Sequence, residues 1–353
     1  MEKDASIIGP TDSILVTGAG GFIGRRVVSL LLDRGFTNLR CLARPSSDVS
    51  KLETILARSR DRSHVEIVRG NLLSRDDCAL AIKDVTIVFH LAAARGEKSI
   101  PDAFMNSVVT TRNLLDASLR QTTLRRFVNI SSFSVYTNTH KRGRRLLDES
   151  SPVQERPELR GDAYGFAKVK QDEIVREYGE RFGIPYVIVR PGYVYGSGNE
   201  AIPGRVGIGT FGVFLHLGGA NTIPLTFVDN CADAVVRAGL KPGIDGQIFN
   251  VVDDDLPSSR KFLRLYKRNV RRFTSIYVPH AASYLLCWLW EGYSDWSKGQ
   301  LPRVFNRRLW HGYWKKTYYT NQKLKGLGWT QRVSTADGMM QYFQSCRDKA
   351  RHA

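Results

Sequence analysis

Thr17-Gly18-Ala19-Gly20-Gly21-Phe22-Ile23-Gly24 follows a short β-rich run, Ser13–Thr17, and opens a stretch, Phe22–Leu32, whose apolar residues have helical spacing up to Gly35. Gly18, Gly21 and Gly24 stand three residues apart. Glycines so placed permit a tight turn, let backbone approach a pyrophosphate, and let strand and helix pack closely. The helix start then offers free N–H groups to phosphates. Between a strand and a helix, the pattern predicts a dinucleotide site built from Gly18, Gly21, Phe22, Ile23 and Gly24. The plain alternative is a glycine-rich turn that binds nothing.

Outward from this turn, β-type runs alternate with helical patterns. Leu39–Ala43, Val65–Val68, Ile87–Leu91, Phe127–Ile130 and Tyr186–Val189 read as strands, and Ala103–Leu119 and Ala163–Phe182 as helices. Such alternation predicts an α/β fold, a Rossmann doubly wound parallel sheet with helices on both faces. Residues 11–196 are expected to form the dinucleotide-binding domain, with 227–253 returning to it through a strand at Gln247–Val252. Residues 197–226 and 254–353 are expected to form a smaller C-terminal substrate-binding lobe.

Ligands of such a sheet lie beyond the carboxyl ends of its strands. The second strand ends Leu42-Ala43-Arg44-Pro45-Ser46-Ser47. A carboxylate there would hold the ribose 2′-hydroxyl of NAD, but the position falls on Ala43 with Arg44 beside it. A guanidinium fork suits a 2′-phosphate, and Arg25 adds charge, so NADP is preferred over NAD. The alternative is a pair of solvated arginines. In Gly70-Asn71-Leu72, Asn71 is placed at the adenine edge with Leu72 beside it. The small residues of Leu91-Ala92-Ala93-Ala94 would let the cofactor lie against backbone. Packing alone would also account for either segment.

Tyr164-Gly165-Phe166-Ala167-Lys168 opens a helix, so Tyr164 and Lys168 share one face, one turn apart. A phenol with a pKa near about 10 is a poor acid–base at neutral pH. A nearby ammonium and a cationic nicotinamide ring both favour the phenolate. Ser132, after the fifth strand, can hydrogen-bond the substrate oxygen while Tyr164 exchanges the alcohol proton. Tyr-x-x-x-Lys is a common match, and Tyr319 to Lys323 repeats it; that copy reads as a surface pair.

Taken in order, TGAGGFIG, NISSFSVY, YGFAK and IVRPGYVYG resemble the extended short-chain dehydrogenase/reductase family, often described as NAD-dependent epimerase/dehydratase proteins, over roughly residues 11–255. The resemblance implies Ser132, Tyr164 and Lys168 as a triad, with Ser132 four residues before Tyr136. It also implies that Pro191, Gly192 and Tyr193 border the nicotinamide. The family's helix-four asparagine falls near Asn106, but the register points to Ser107, and neither is assigned a role. The 4,6-dehydratase branch carries acids after the fifth strand; Ser131-Ser132-Phe133-Ser134-Val135-Tyr136 has none, which argues against dehydration. Nucleotide-sugar epimerases usually carry an arginine in the stretch that reads Ile223 to Asn230 here, and it is missing. The hydroxysteroid dehydrogenase and flavonol reductase branches fit the Phe227–Ala234 run and the tryptophan-rich rear segment. A reductase or dehydrogenase of a bulky substrate and a nucleotide-sugar epimerase both stay open. The non-enzymatic alternative is an NADP-sensing or scaffold protein on the same fold, against which the intact triad argues.

The whole chain carries a net charge of +18. Residues 256–329 hold fifteen Lys or Arg against Glu291 and Asp295, and all six tryptophans. One reading is a solvated basic face with tryptophans in the core of the substrate lobe. The other is that 260–316, including Arg303, Arg307, Arg308, Lys315 and Lys316, meets anionic lipid or a phosphorylated, partly apolar substrate. No nucleic-acid module is present. Five scattered cysteines without C-x-x-C argue against disulfides or structural zinc. Seven histidines without ligand spacing predict no metal, and His90 reads as packed rather than catalytic. The N-terminus has no apolar signal-peptide core. The expectation is a cytoplasmic protein, in contact with a membrane periphery on the second reading, whose partners are a small-molecule substrate and, as an open point, a second copy of itself.

Overall fold

Seven strands set the architecture, and the central ones are buried on both faces. In chain order the first half runs β1 Ile14–Thr17, α1 Gly24–Asp33, β2 Asn38–Ala43, α2 Ser50–Leu56, β3 His64–Arg69, α3 Arg75–Ile82, β4 Ile87–His90, α4 Ile100–Ala103, α5 Thr110–Ser118, β5 Arg126–Ile130, β6 Leu146–Leu147, α6 Ala163–Phe182 and β7 Tyr186–Pro191. The second half runs β8 Tyr193–Tyr195, β9 Gly207–Thr210, β10 Val213–His216, β11 Leu225–Phe227, α7 Val228–Leu240, β12 Gln247–Val251, α8 Ser259–Asn269, β13 Ser275–Tyr277, α9 His280–Trp296, α10 Arg307–Tyr313, β14 Tyr318–Tyr319, α11 Gln322–Lys325 and α12 Thr335–Arg351. The computed structural model describes residues 6–57, 64–93, 99–138, 146–210, 212–297, 300 and 306–351. Ala94 and Arg303, named above, and His140 and His352, two of the seven histidines, lie outside them.

The sheet order is β12-β7-β5-β4-β1-β2-β3, parallel throughout. Successive side chains of one strand enter opposite cores. Ile14 and Val16 join Val27, Val28, Leu31 and Val235 on one face. Leu15, Val88 and Ile188 join Leu114, Leu115 and Val175 on the other. This two-sided burial explains the near-continuous apolar strands. Strand order reverses between β1 and β4, which opens a crevice at their carboxyl ends. The strand at Gln247–Val251 does return to the sheet, paired with β7 at its edge.

A third core gathers Tyr195, Phe214, Phe262, Leu263, Tyr266, Tyr342 and Phe343, drawn from β8, β10, α8 and α12. β8 pairs with β11, and β9, β10 and β13 form a small mixed sheet.

Three expectations need correction. The helix expected at Ala103–Leu119 starts at Ile100 and passes through a π-helical turn at Phe104–Val109. The wider turn inserts a residue and breaks the 3.6-residue period. Tyr319 and Lys323 are not a surface pair: Tyr319 lies on β14, half-buried and stacked on Phe133 at 5.6 Å, while Lys323 lies on α11. The tryptophans do not all fill the lobe core. Trp310 and Trp314 do so, Trp329 packs into the sheet's own core, and Trp288 and Trp296 are 51% and 77% exposed.

Candidate active site

The turn after β1 needs its glycines for space. Gly18 takes φ +66° beneath the Leu91–Ala92 backbone, and a Cβ at Gly24 would stand 2.1 Å from the Gly18 carbonyl oxygen. Helix α1 has no side-chain cap and no acid in its first turn, so its positive end is left for an anion. A cavity of about 570 Å³ opens here. Gly18, Gly21, Phe22, Ile23, Gly24, Leu91 and Ala93 line one end; Ser132, Tyr164, Lys168, Pro191 and Gly192 line the middle. The triad and the glycine turn therefore face one space. Glycine turn, unblocked helix end and adjoining phenol together fit a nicotinamide dinucleotide.

Arg44, Asn71, Leu72 and Ala92 do not line that cavity. Arg44 is exposed beyond β2, and Arg69 ties down its loop by donating to the carbonyls of Arg44 and Ser47. Asn71 spends its side-chain oxygen on the Leu73 amide, and Leu72 is buried in the core.

Helix α6 positions the chemistry. It ends where Gly183 takes φ +70° and its amide bonds back to Gly179, the left-handed stop expected of glycine. Its first turn presents Tyr164 to the cavity; one turn on, Lys168 is 4% exposed. Lys168 Nζ donates to the Ile130 carbonyl at 2.5 Å and to Gln171 Oε1 at 2.9 Å. Burial pulls its pKa down to about 8, with the Asp172 carboxylate resisting. Ser132 Oγ accepts the Ser134 amide at 3.1 Å.

Behind the triad lie two buried polar networks that sequence reasoning missed. Gln171 Nε2 and His90 Nε2 both reach Thr111 Oγ1, at 2.7 and 2.9 Å, while Thr111 donates to the Ser107 carbonyl. Thr17 Oγ1 meets His90 Nδ1 at 2.8 Å. These directions assign His90 as the neutral Nε2–H tautomer. Burial first, then Lys168, holds its pKa near about 3. His90 is thus a packed histidine, 1% exposed, and it braces Lys168 through Thr111 and Gln171. In the second network, Asp172 accepts from Asn129, Ser131 and both Nε and Nη2 of Arg190, at 2.8 to 3.1 Å. It locks the ends of β5 and β7 to α6, so Ser132 and Lys168 rest on one frame.

At the far end of the cavity, sequence reasoning named Tyr193 but missed Arg160, Arg205 and Tyr313. Arg160 and Arg205 stand 5.6 and 5.3 Å from the centroid of the same Tyr313 ring, and all three line the cavity with Asp162, Tyr193 and Pro224. Arg160 is 2% exposed and bound to the Ser134 carbonyl at 2.5 Å. A short helical turn, Pro157–Arg160, followed by Gly161 at φ +68°, turns it inward. Arg205 and Tyr313 are far apart in sequence, and no local pattern links them. Among the described residues, no cluster of three or more His, Cys, Asp or Glu is placed to hold a metal.

The chain belongs to the NAD dependent epimerase/dehydratase family, whose sequence profile matches residues 14–251. It is 24% identical over 343 residues to an Arabidopsis thaliana trifunctional UDP-glucose 4,6-dehydratase/UDP-4-keto-6-deoxy-D-glucose 3,5-epimerase/UDP-4-keto-L-rhamnose-reductase, covering 93% of this chain and 46% of that protein. It is 30% identical over 209 residues to a Mycobacterium tuberculosis 3 beta-hydroxysteroid dehydrogenase/Delta 5→4-isomerase, covering 56% of this chain and 51% of that one. The chain thus spans about half the length of these curated relatives. The UDP-glucuronic acid 4-epimerase of Bacillus cereus, solved with UDP-glucuronic acid and NAD, superposes with a TM-score of 0.70 at 22% identity, over 96% of this chain and 99% of that one. That likeness is one of fold.

Proposed function

We propose that the protein is an NADP-preferring oxidoreductase acting at a secondary alcohol or ketone carbon of a bulky substrate. The observation that carries this is the single cavity shared by the glycine turn, Ser132, Tyr164 and Lys168. A bound nicotinamide supplies or accepts hydride. Tyr164 exchanges the proton at the substrate oxygen, Ser132 orients that oxygen, and the Lys168 ammonium favours the phenolate. The Ile130 carbonyl and Gln171 hold the Lys168 ammonium in place. The aromatic wall of Tyr193 and Tyr313 suits an apolar body, and Arg160 and Arg205 suit an anionic group on it.

Arg44 at the end of β2, where Ala43 takes the place of an acid, supports NADP over NAD. The test is titration of the purified protein with NADPH and NADH. NADPH is expected to bind at least about tenfold tighter, the worth of one such charged contact, and Arg44→Ala to remove the difference. Equal affinities would defeat the NADP assignment. NAD released only on denaturation would instead favour a nucleotide-sugar epimerase, in which Arg160 and Arg205 face the diphosphate. Besides its small-molecule substrate, we propose that the basic rear lobe touches an anionic membrane surface.

A further inference from the structure

Helix α9 has its polarity reversed. A surface helix normally buries large apolar side chains and exposes polar ones. Here the buried stripe holds Ser283, Cys287 and Ser294, and Ser283 accepts the Trp310 indole N–H at 2.8 Å. The opposite face exposes Leu285, Leu286, Trp288, Leu289, Tyr293 and Trp296, each by 51 to 77%. At 100° per residue these six fall within one broad arc. No Lys or Arg occurs between His280 and Trp296. Of its two acids, Glu291 is paired with Arg307 at 2.5 Å.

The apolar ridge extends into the preceding strand, where Ile276 and Tyr277 are 54% and 46% exposed. Arg260 lies 5.5 Å from the Tyr277 ring centroid, which joins the ridge to α8. Helix α8 turns Phe262, Leu263 and Tyr266 inward, and its exposed side carries Arg260, Lys261, Arg264 and Arg268, followed by exposed Arg271 and Arg272. A contiguous apolar patch of this kind marks an interaction surface. Cations beside it, with aromatics at its edge, match an anionic bilayer better than another protein. At 17 residues α9 is about 25 Å long, and among the described residues no helix is long and apolar enough to cross a membrane.

We infer that α9 lies in the plane of an anionic bilayer, with its Leu285–Trp296 face in the boundary between headgroups and acyl chains, and with the cations of α8 on the headgroups. This rests on the membrane contact proposed above and adds an inserted element to it. The same helix carries α10 on its inner side, and α10 ends at Tyr313 in the cavity wall. Docking would therefore set the substrate end of the cavity close to the lipid surface, where an amphiphilic substrate resides.

The test uses the full chain with phosphatidylcholine vesicles, with and without phosphatidylserine, and with brominated acyl chains as a quencher. Wild type is expected to float with the anionic vesicles, to shift its tryptophan emission to the blue, and to be quenched. Leu286→Gln/Leu289→Gln/Trp296→Gln should lose at least 30-fold in vesicle affinity while keeping its circular dichroism and cofactor binding. Arg264→Gln/Arg268→Gln should lose the preference for phosphatidylserine but keep the residual quenching. Salt-sensitive flotation without blue shift or quenching, equal in the α9 variant, would overturn insertion and leave the peripheral contact standing. No flotation at low salt would overturn both. A dimer by light scattering that the α9 variant abolishes, in protein that ignores vesicles, would assign the face to a second copy and also overturn the inference.

Discussion

Replacing Asp172 by Asn tests the frame that holds the proposed catalytic groups. The carboxylate is 3% exposed and its partner Arg190 is 2% exposed. The substitution keeps the shape but leaves a buried guanidinium without its counter-charge. Removing one partner of such a pair costs about 3–5 kcal/mol. Unfolding entropy near ~2.1 cal/mol/K per residue amounts to roughly 740 cal/mol/K for 353 residues. The melting temperature should then fall by about 4–7 °C. A second effect follows from charge. Asp172 raises the Lys168 pKa against the pull of burial, so its loss lowers that pKa further below about 8. The ammonium proposed to act on Tyr164 is present below the pKa and lost above it. The alkaline limb of kcat/KM must therefore move to lower pH in the variant. Differential scanning fluorimetry and a pH–rate profile read the two effects separately. Asp172→Asn/Arg190→Met should recover part of the lost stability, since removing both charges is milder than stranding one. An unchanged melting temperature together with an unmoved alkaline limb would refute the argument that this pair supports the site.

Two further outcomes are expected. Tyr164→Phe should lower turnover by about 10²–10⁴-fold, the usual worth of a general acid–base, while NADPH affinity stays at the parent value; a mild loss of turnover would remove Tyr164 from the proton step. Lys168 has a folded pKa of about 8 against roughly 10.4 when unfolded, so the unfolded chain binds more protons between those values. Wild type should therefore gain about 3 kcal/mol of stability relative to Lys168→Met as pH rises from about 8 to about 10.4, as read by urea unfolding across that range; a constant difference would show that the lysine is not held at a lowered pKa.

Local chemistry made much of the fold legible. The glycine turn, the strand–helix alternation and the bounds of α6 all rest on short-range rules, and Tyr164 and Lys168 are locked together by one helical turn. What stayed hidden depends on long-range packing or on broken periodicity. Arg160 enters the cavity only because a short turn and Gly161 reverse the chain. Arg205 and Tyr313 converge from opposite ends of the rear lobe. The π-helical turn at Phe104–Val109 shifts the register by a residue, so a strict 3.6-residue reading misplaces the residues before it against those after it. Helix α9 defeated the reading of the tryptophans for a different reason: apolar periodicity says which face is greasy, and the rest of the fold decides whether that face points inward.

The segment after α11 reaches back across the molecule. Trp329 is 1% exposed among residues of the sheet's core, and the Asn230 side chain of α7 clasps Val333, donating to its carbonyl and accepting from its amide, each at 2.9 Å. During synthesis the amino-terminal half therefore waits for its last two pieces. The sheet edge at β12 emerges only after residue 251, and the indole plug only after residue 329. A ribosome-bound intermediate lacking both would present an open strand beside β7 and a gap against α7.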